Sequence, residues 1–373
     1  MHILVKRRSL IKAIGRVHRV AERKNTIPVL SNVLLRAEGE SLLLKAADLG
    51  VCVSESLEAS SVVSQGGTTV PAYVFYDIVR KLPEEACIEL ILQPDGETLD
   101  IQSGRSKFSL QALREEDFSD ITLGGFTHEF QIPAKDLKQL LDGTSFAISN
   151  DETRYHLNGM YLHVVTVQNA TKLRAVATDG HRLAKVDVAC PEGITQMPGV
   201  IIPKKTVTEI QKLLENPDVP VPVVLSNSKI SVMIGPTSLT SKLVDSTFPQ
   251  YGAVIPHDNK RHIVLDRDEF SSAVNRVASV APEQGQAVKF RLSTNELSLK
   301  VTNTGCGYAL ETLDAEYDDE DMEVAFNAKY LLDIANQLET GPISFKLANP
   351  VSAALIQNVQ NDSVLYVLMP MQA

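Results

Sequence analysis

From Ser9 onward, apolar residues return at Leu10, Ile14, Val17 and Ala21, and these spacings of three and four place them along one side of an α-helix. Arg8, Lys12, Arg16, Arg19 and Arg23 fall on the opposite side, so the segment reads as an amphipathic helix with a cationic face. Comparable segments begin at Phe130 (FQIPAKDLKQLLDGTSFAIS) and His262 (HIVLDRDEFSSAVNRVASVA), with Leu10, Leu137 and Phe270 in equivalent places. A second helix signal follows each: VPAYVFYDIVRKL from Val70, IPKKTVTEIQKLL from Ile202 and FNAKYLLDIANQL from Phe326. Pro71, Pro203 and Asn327 are equivalent among them. Between the helices the pattern changes to period two, as in SLLLKAADLGVCVSESLEA, LRAVATDGHRLAKVDVA and ELSLKVTNTGCGYALETL. Alternation interrupted by turn formers predicts antiparallel strands in meanders.

The internal period is about 130 residues, far above the length of a solenoid unit, and predicts three similar domains. Turn formers cluster at Gly124–Gly125 and Pro256–Asn259, which sets the expected domains at 1–125, 126–257 and 258–373. Each is expected to hold two helices and roughly eight strands, an α+β arrangement with helices over one face of a sheet layer.

Composition narrows the class. With 44% hydrophobic and 22% charged residues, the 373-residue chain is ordinary for a soluble protein. It has no apolar run long enough to span a bilayer and no secretory h-region near its start, so a cytoplasmic protein without a membrane partner is expected. Cys52, Cys87, Cys190 and Cys306 form no CxxC pair, and neither a metal site nor a cofactor is expected. Cys52, in GVCVS, reads as a small core residue. The net charge of −10 argues against a uniformly basic nucleic-acid binder. The charge is segregated, however. Acid is bunched between Asp314 and Ala325, which reads as a solvated face, while base gathers on the first segment and around Lys204. Cations without interleaved acid are what phosphate binding requires.

Catalytic motifs are absent: there is no phosphate loop, dinucleotide fingerprint, HExxH or nucleophile elbow. Asp179, His181 and Arg182 lie close enough to suggest acid–base chemistry, but no nucleophile accompanies them, and Asp179-Gly180 between two alternating stretches reads as a tight turn. No catalytic residue is assigned. A protein-only adaptor remains an alternative that the cationic helix face argues against. The end of the chain, Val364 to Met371, is strongly apolar. It reads as a docked strand through Leu368 followed by a methionine-lined groove wall.

TDGHRLA at Thr178, RYHLNGM at Arg154, SKLVDSTFPQY at Ser241, SGRSKFSL at Ser103, FNAKYLLDI at Phe326 and the terminal YVLMPM, on a threefold repeat, resemble the bacterial sliding clamps, the beta subunit of DNA polymerase III holoenzyme. The resemblance covers the whole chain. It implies the DNA clamp fold: each domain a pseudo-duplicated βαβββ pair, and two chains closing head to tail into a ring, with helices lining the inside and antiparallel sheets outside. It implies a processivity factor that encircles double-stranded DNA without reading sequence and tethers the replicative polymerase, the clamp loader and repair proteins through short motifs.

Residue by residue, the resemblance assigns DNA contact to Lys24, Tyr155 and Lys205, and the helix-face argument adds Arg8, Lys12 and Arg16. Asp151 stands where some members carry a neutral side chain. The partner-peptide groove carries over to Leu157, Thr178, Gly180, His181, Arg182, Leu183, Pro249, Val254, Tyr330, Val367, Met369, Pro370 and Met371. His156, Ala253 and Gln372 depart from residues seen in some members and imply an altered peptide preference. The homodimer contact is expected between Lys107–Leu110 of one chain and Arg276–Val280 of the other, with Phe108, Leu110 and Val280 as its apolar centre.

Overall fold

The computed structural model describes residues 1–23, 26–118, 124–194, 196–214, 219–282 and 286–371. The chain begins β1 (His2–Lys6), α1 (Arg7–Val17), β2 (Asn32–Glu38), β3 (Ser41–Ala47), β4 (Val51–Glu58), β5 (Ser61–Ser64), β6 (Gly66–Pro71), α2 (Ala72–Lys81), β7 (Cys87–Leu92), β8 (Thr98–Ser103) and β9 (Ser106–Gln111). It continues β10 (His128–Pro133), α3 (Ala134–Ser145), β11 (Gly159–Val167), β12 (Ala170–Thr178), β13 (Arg182–Ala189), β14 (Val200–Pro203), α4 (Lys204–Leu213), β15 (Pro220–Leu225), β16 (Lys229–Ile234) and β17 (Thr237–Lys242). The last stretch is β18 (Arg261–Asp266), α5 (Arg267–Ala278), β19 (Ala287–Ser293), β20 (Glu296–Asn303), β21 (Gly307–Asp314), β22 (Met322–Asn327), α6 (Ala328–Ala335), β23 (Pro342–Leu347), β24 (Ala354–Asn358) and β25 (Val364–Leu368). Among the described residues the order β-α-β-β-β occurs six times, and β5 alone stands outside it. Each of the six predicted helices is present, and each follows directly from a strand.

The helices form as their apolar spacing demands. Leu10, Ala13, Ile14 and Val17 of α1 are buried, as are Phe270, Ala273, Val274 and Val277 of α5. Asp266 caps α5, accepting from the amides of Asp268 and Glu269, and Asn327 caps α6 in the same way. The first helix is shorter than its apolar pattern suggests. The chain leaves the α conformation after Val17, passes through a short 3₁₀ turn at His18–Val20, and is extended at Ala21. His18 is responsible: its Nδ1 lies 2.7 Å from the Ile14 carbonyl oxygen, and its ring stacks on Tyr76 at 4.0 Å. Burial holds the His18 imidazole below its ordinary pKa. Arg19 and Arg23 therefore do not continue the helix face, and Arg23 lies over the Tyr73 ring at 4.2 Å.

The chain forms two compact units. The first comprises Met1–Ala134, Glu192–Ile194 and Thr208–Leu243. It contains a sheet ordered β5-β1-β7-β8-β9 and an eight-stranded sheet ordered β10-β15-β16-β17-β4-β3-β2-β6. In the larger sheet β17 pairs antiparallel with β4, Thr237 opposite Glu55 and Leu239 opposite Val53. Cys52 is buried in β4, as expected.

The second unit comprises Lys135–Pro191, Thr195–Val207 and Val244–Ala373. Its eight-stranded sheet is ordered β14-β11-β12-β13-β25-β24-β23-β18, and a four-stranded sheet is ordered β21-β20-β19-β22. Here β13 pairs antiparallel with β25, Ala184 opposite Tyr366 and Val186 opposite Val364. Both larger sheets are thus ladders between strands far apart in sequence, joining what the repeat divides.

Candidate functional site

The cationic residues of α1 are not equivalent. Arg8 and Lys12 are exposed. Arg16 is half-buried and donates to Glu55 of β4 at 2.8 Å, and the second Glu55 oxygen accepts from Thr237 Oγ1 at 2.7 Å. Arg7 donates to the backbone carbonyls of Val79 and Arg80. The acid that relieves α1 therefore comes from a neighbouring strand rather than from the helix itself. Lys24 lies outside the described residues. In the second unit, Tyr155 is exposed on a 3₁₀ turn at Glu152–Leu157 and Lys205 is exposed in the first turn of α4. The turn bearing Tyr155 is fixed by Asp151, whose carboxylate accepts from the Thr153 amide and hydroxyl and from Arg154 Nε. The Thr153 hydroxyl bond, with Arg154, holds the Asp151 carboxyl below its ordinary range, so the charge at this position is committed to the turn.

The stretch from Thr178 to Leu183 is the expected tight turn, joining β12 to β13. Gly180 has φ +89°, a conformation glycine adopts without strain. One Asp179 oxygen accepts from the amides of His181 and Arg182, and the other accepts from Arg182 Nε at 3.1 Å. Thr178 Oγ1 donates to the Arg182 carbonyl at 2.7 Å. Asp179 is thus used up in holding the turn, which removes it as a base for His181. Arg182 is buried and spends its whole fork: Nε on Asp179, Nη1 on Asp333 at 2.7 Å and Nη2 on the Phe146 carbonyl at 2.5 Å. Its guanidinium lies 4.2 Å above the Tyr330 ring, and burial raises the Tyr330 phenol pKa. A buried arginine is tolerated only when its donors are satisfied in this way.

Beside this turn, Leu157, Val176, Leu183, Ile201, Phe248 and Val367 form one buried cluster, against which Tyr161, Val244, Tyr251 and Ile255 pack. Burying each aliphatic member contributes about 1.5–3 kcal/mol. Leu157, Leu183 and Val367 were expected here, and Phe248 and Tyr251 lie within SKLVDSTFPQY. The wall above is more open. Pro249 and Val254 are exposed, and the Met369 amide donates to the His181 carbonyl at 2.9 Å, seating the exposed Met369 beside the turn. Pro370 and Met371, which follow Met369, also line a cavity of about 420 Å³ with Lys289, Glu323, Val324, Ala325, Pro350 and Val351.

Sequence reasoning missed what supports the cluster. Tyr161 stacks on Phe248 at 4.9 Å and on His163 at 4.3 Å. His163 Nε2 lies 2.9 Å from the Tyr251 hydroxyl, which also accepts from Arg174. Arg174 in turn grips Asp187 with two bonds of 2.6 and 2.7 Å. Burial, reinforced by Arg174, pushes the His163 pKa down to about 4, so the imidazole is neutral at pH 7. The one signal available was alternation, which set these polar residues on a single face of β11, β12 and β13.

Two strand edges complete the inventory. β9 ends the first unit's smaller sheet and β21 ends the second unit's smaller sheet. Phe108 is exposed on β9, and Leu110 is half-buried there. Val280 is not on an edge strand. It follows α5, and its carbonyl accepts from Asn303 Nδ2 at 3.0 Å, bracing the turn that leads into β21.

Family models for the N-terminal, central and C-terminal domains of the DNA polymerase III beta subunit match residues 1–122, 131–250 and 252–372. The chain is 42% identical over 372 residues to the beta sliding clamp of Caulobacter vibrioides and 36% identical to that of Pseudomonas aeruginosa, covering 100% of both sequences in each case. Among solved structures, a sliding clamp from Bartonella birtlesii bound to griselimycin superposes with a TM-score of 0.96 at 48% identity, with full coverage of both chains. A Caulobacter crescentus clamp superposes with a TM-score of 0.97 at 42% identity, covering 100% of this chain and 99% of the other.

Proposed function

The chain belongs to the DNA polymerase III beta-subunit family, and from that membership we propose that it is the processivity factor of a bacterial replicative polymerase, a ring-shaped homodimer that encircles duplex DNA and slides along it. The observation that carries this reading is the arithmetic of the sheets. The repeated βαβββ units supply six four-stranded half-sheets, and two pairs of these join within the chain, through β17·β4 and β13·β25. Each join links a later repeat to an earlier one. The two half-sheets left over end at β9 and β21, which belong to the first and last repeats. A head-to-tail contact between copies pairs them, and such a heterologous contact either closes into a ring or runs on as a filament. Two chains closing on each other cover the β9 and β21 edges, which also removes an aggregation hazard there.

Encirclement, rather than adhesion, supplies retention. Sequence-independent phosphate binding is weak, with dissociation constants of roughly 10⁻⁴–10⁻⁶ M at physiological salt. A threaded ring keeps its hold while such contacts let it slide. The residues proposed to touch the backbone are Arg8, Lys12, Lys24, Tyr155 and Lys205. Arg16 is reassigned to a structural pair, because Glu55 already satisfies it. The cluster of Leu157, Leu183, Phe248 and Val367, roofed by Pro249, Val254, His181 and Met369, takes the apolar anchors of short motifs from the polymerase, the clamp loader and repair proteins. The chain acts in the cytoplasm as three domains, 1–125, 126–257 and 258–373, and catalyses no reaction. The Asp179–Arg182 network supports the non-enzymatic reading, since it commits the carboxylate to the turn.

The test compares retention on nicked circular and linearised DNA at high salt after loading. Long retention on circles with rapid loss from free ends is expected, and equal loss from both refutes encirclement. Reversing Arg8, Lys12 and Lys205 to glutamate impairs loading and DNA-dependent synthesis. Full activity of that variant would favour an adaptor that never touches DNA.

A further inference from the structure

The two walls of the apolar groove are held in different ways. Met369 follows β25, which lies in a ladder with β13, and its amide donates to the His181 carbonyl at 2.9 Å. The opposite wall runs from Pro249 through a 3₁₀ turn at Tyr251–Val254 and belongs to no sheet. Among the described residues, the backbone bonds made between Asp245 and Asp258 are all local, as from Ser246 to Val244, Tyr251 to Pro249 and Ala253 to Gln250. Side chains must therefore fix this wall. Phe248 and Tyr251 pack on the buried cluster, but apolar packing is non-directional and does not by itself fix where the segment sits along it. The directional restraint is the Tyr251 hydroxyl, which accepts from Arg174 Nη1 at 3.2 Å and lies 2.9 Å from His163 Nε2.

Arg174 can hold that hydroxyl in one place because its other donors are committed. Its Nε and Nη2 grip Asp187 across the β12·β13 ladder, and the two side chains are only 13% and 9% exposed. A planar fork fixed at two points presents its remaining donor in one direction. The ladder itself does not require this ion pair. The Lys242 amide donates to the Gly50 carbonyl as the Met369 amide does to that of His181, which aligns Ser56 of β4 with Asp187 of β13. The match of ESLE at Glu55 with ETLD at Glu311 aligns Thr312 of β21 with them. Leu43 stands opposite Ser56, and Ser298 opposite Thr312, where Arg174 stands opposite Asp187. The same ladder is thus built three times, and the buried arginine–aspartate pair occurs in the one repeat whose sheet carries a wall that no ladder holds.

We infer that Arg174 is a positioning residue for the partner-peptide groove: through the Tyr251 hydroxyl it sets where the Pro249–Val254 wall stands, and so which apolar anchors the groove accepts. This rests on the groove reading above and goes beyond it, since Arg174 acts on the wall rather than on the peptide. A wall held by a directional bond distinguishes anchors that differ by one methylene, a difference worth about 10–200-fold in a pocket of fixed shape. A wall free to follow the anchor gives that discrimination up.

The test is fluorescence anisotropy with a short motif peptide of the replicative polymerase and with the same peptide after one apolar anchor is shortened by one methylene. Tyr251→Phe keeps the ring and the Arg174–Asp187 fork and removes only the hydroxyl. It is expected to weaken the first peptide about tenfold, the worth of one hydrogen bond to a charged donor, and to bring the ratio of the two affinities toward one. Arg174→Gln is expected to do the same, and the double variant to bind no more weakly than either single one, because both break one relay. Amide exchange separates positioning from general loosening: in Tyr251→Phe the Tyr251 and Ala253 amides are expected to lose protection while those of His181 and Arg182 keep theirs. Unchanged affinity in Tyr251→Phe, a loss equal for both peptides, or losses that add in the double variant overturns the proposal. A wild-type chain that binds neither peptide overturns the groove reading beneath it.

Discussion

Arg182→Ala removes one side chain and strands three acceptors. Asp179 loses its Nε donor, Asp333 its Nη1 donor at 2.7 Å and the Phe146 carbonyl its Nη2 donor at 2.5 Å. The cation over Tyr330 is lost as well. Removing one partner of a buried ion pair costs about 3–5 kcal/mol, and because Asp333 retains 29% side-chain exposure the lower end applies, about 3 kcal/mol. That loss falls on the β12–β13 turn and the segment tied to it through the Met369 amide. Amide exchange localises it. The His181 and Arg182 amides, held by Asp179, are expected to lose roughly a hundredfold of protection, as that free energy implies. Affinity for a short partner peptide with apolar anchors falls in parallel, measured by fluorescence anisotropy. Arg182→Lys keeps the charge but not the planar fork, so it recovers only part of both readouts. Unchanged exchange at His181 and Arg182 in Arg182→Ala would refute the claim that this fork holds the turn.

Acidification provides a second test. His163 titrates at about 4 in the folded chain against an ordinary 6.5, so its stabilising contribution is complete above 6.5 and is lost as pH falls through 4. The Tyr161–His163–Tyr251 stack should loosen in that window, seen as tyrosine near-ultraviolet dichroism, and His163→Gln should blunt the pH dependence. Gly159→Ala would place a Cβ 2.5 Å from the Ile202 carbonyl oxygen, so a loss of about 1–3 kcal/mol is expected on thermal unfolding, against a negligible change for a substitution at an open surface position. Deleting Met369–Ala373 removes the wall beside His181 but leaves β25 intact. Peptide binding should disappear while sedimentation still reports a dimer, and loss of the dimer would show that the tail is structural.

Hydrophobic spacing alone determined the six helices and the strands that flank them, because side-chain periodicity reports which face of a local element turns inward. The buried stripe of Leu10, Ile14 and Val17 and the Asp179-Gly180 turn were legible for that reason. So was the threefold repeat, and with it the family resemblance. Periodicity could not say that α1 stops at Val17, because the stop comes from His18 bonding the Ile14 carbonyl and stacking on Tyr76, which is remote in sequence. Nor could it say that Arg16 is balanced by Glu55, or that Phe248 and Tyr251 close over Leu157 and Leu183. Those contacts depend on which strands become neighbours and in what register, and a one-residue slip reverses every side chain in a ladder. Local pattern carries no information about that choice, so the pairing of β17 with β4 and of β13 with β25 appeared only once the chain was folded.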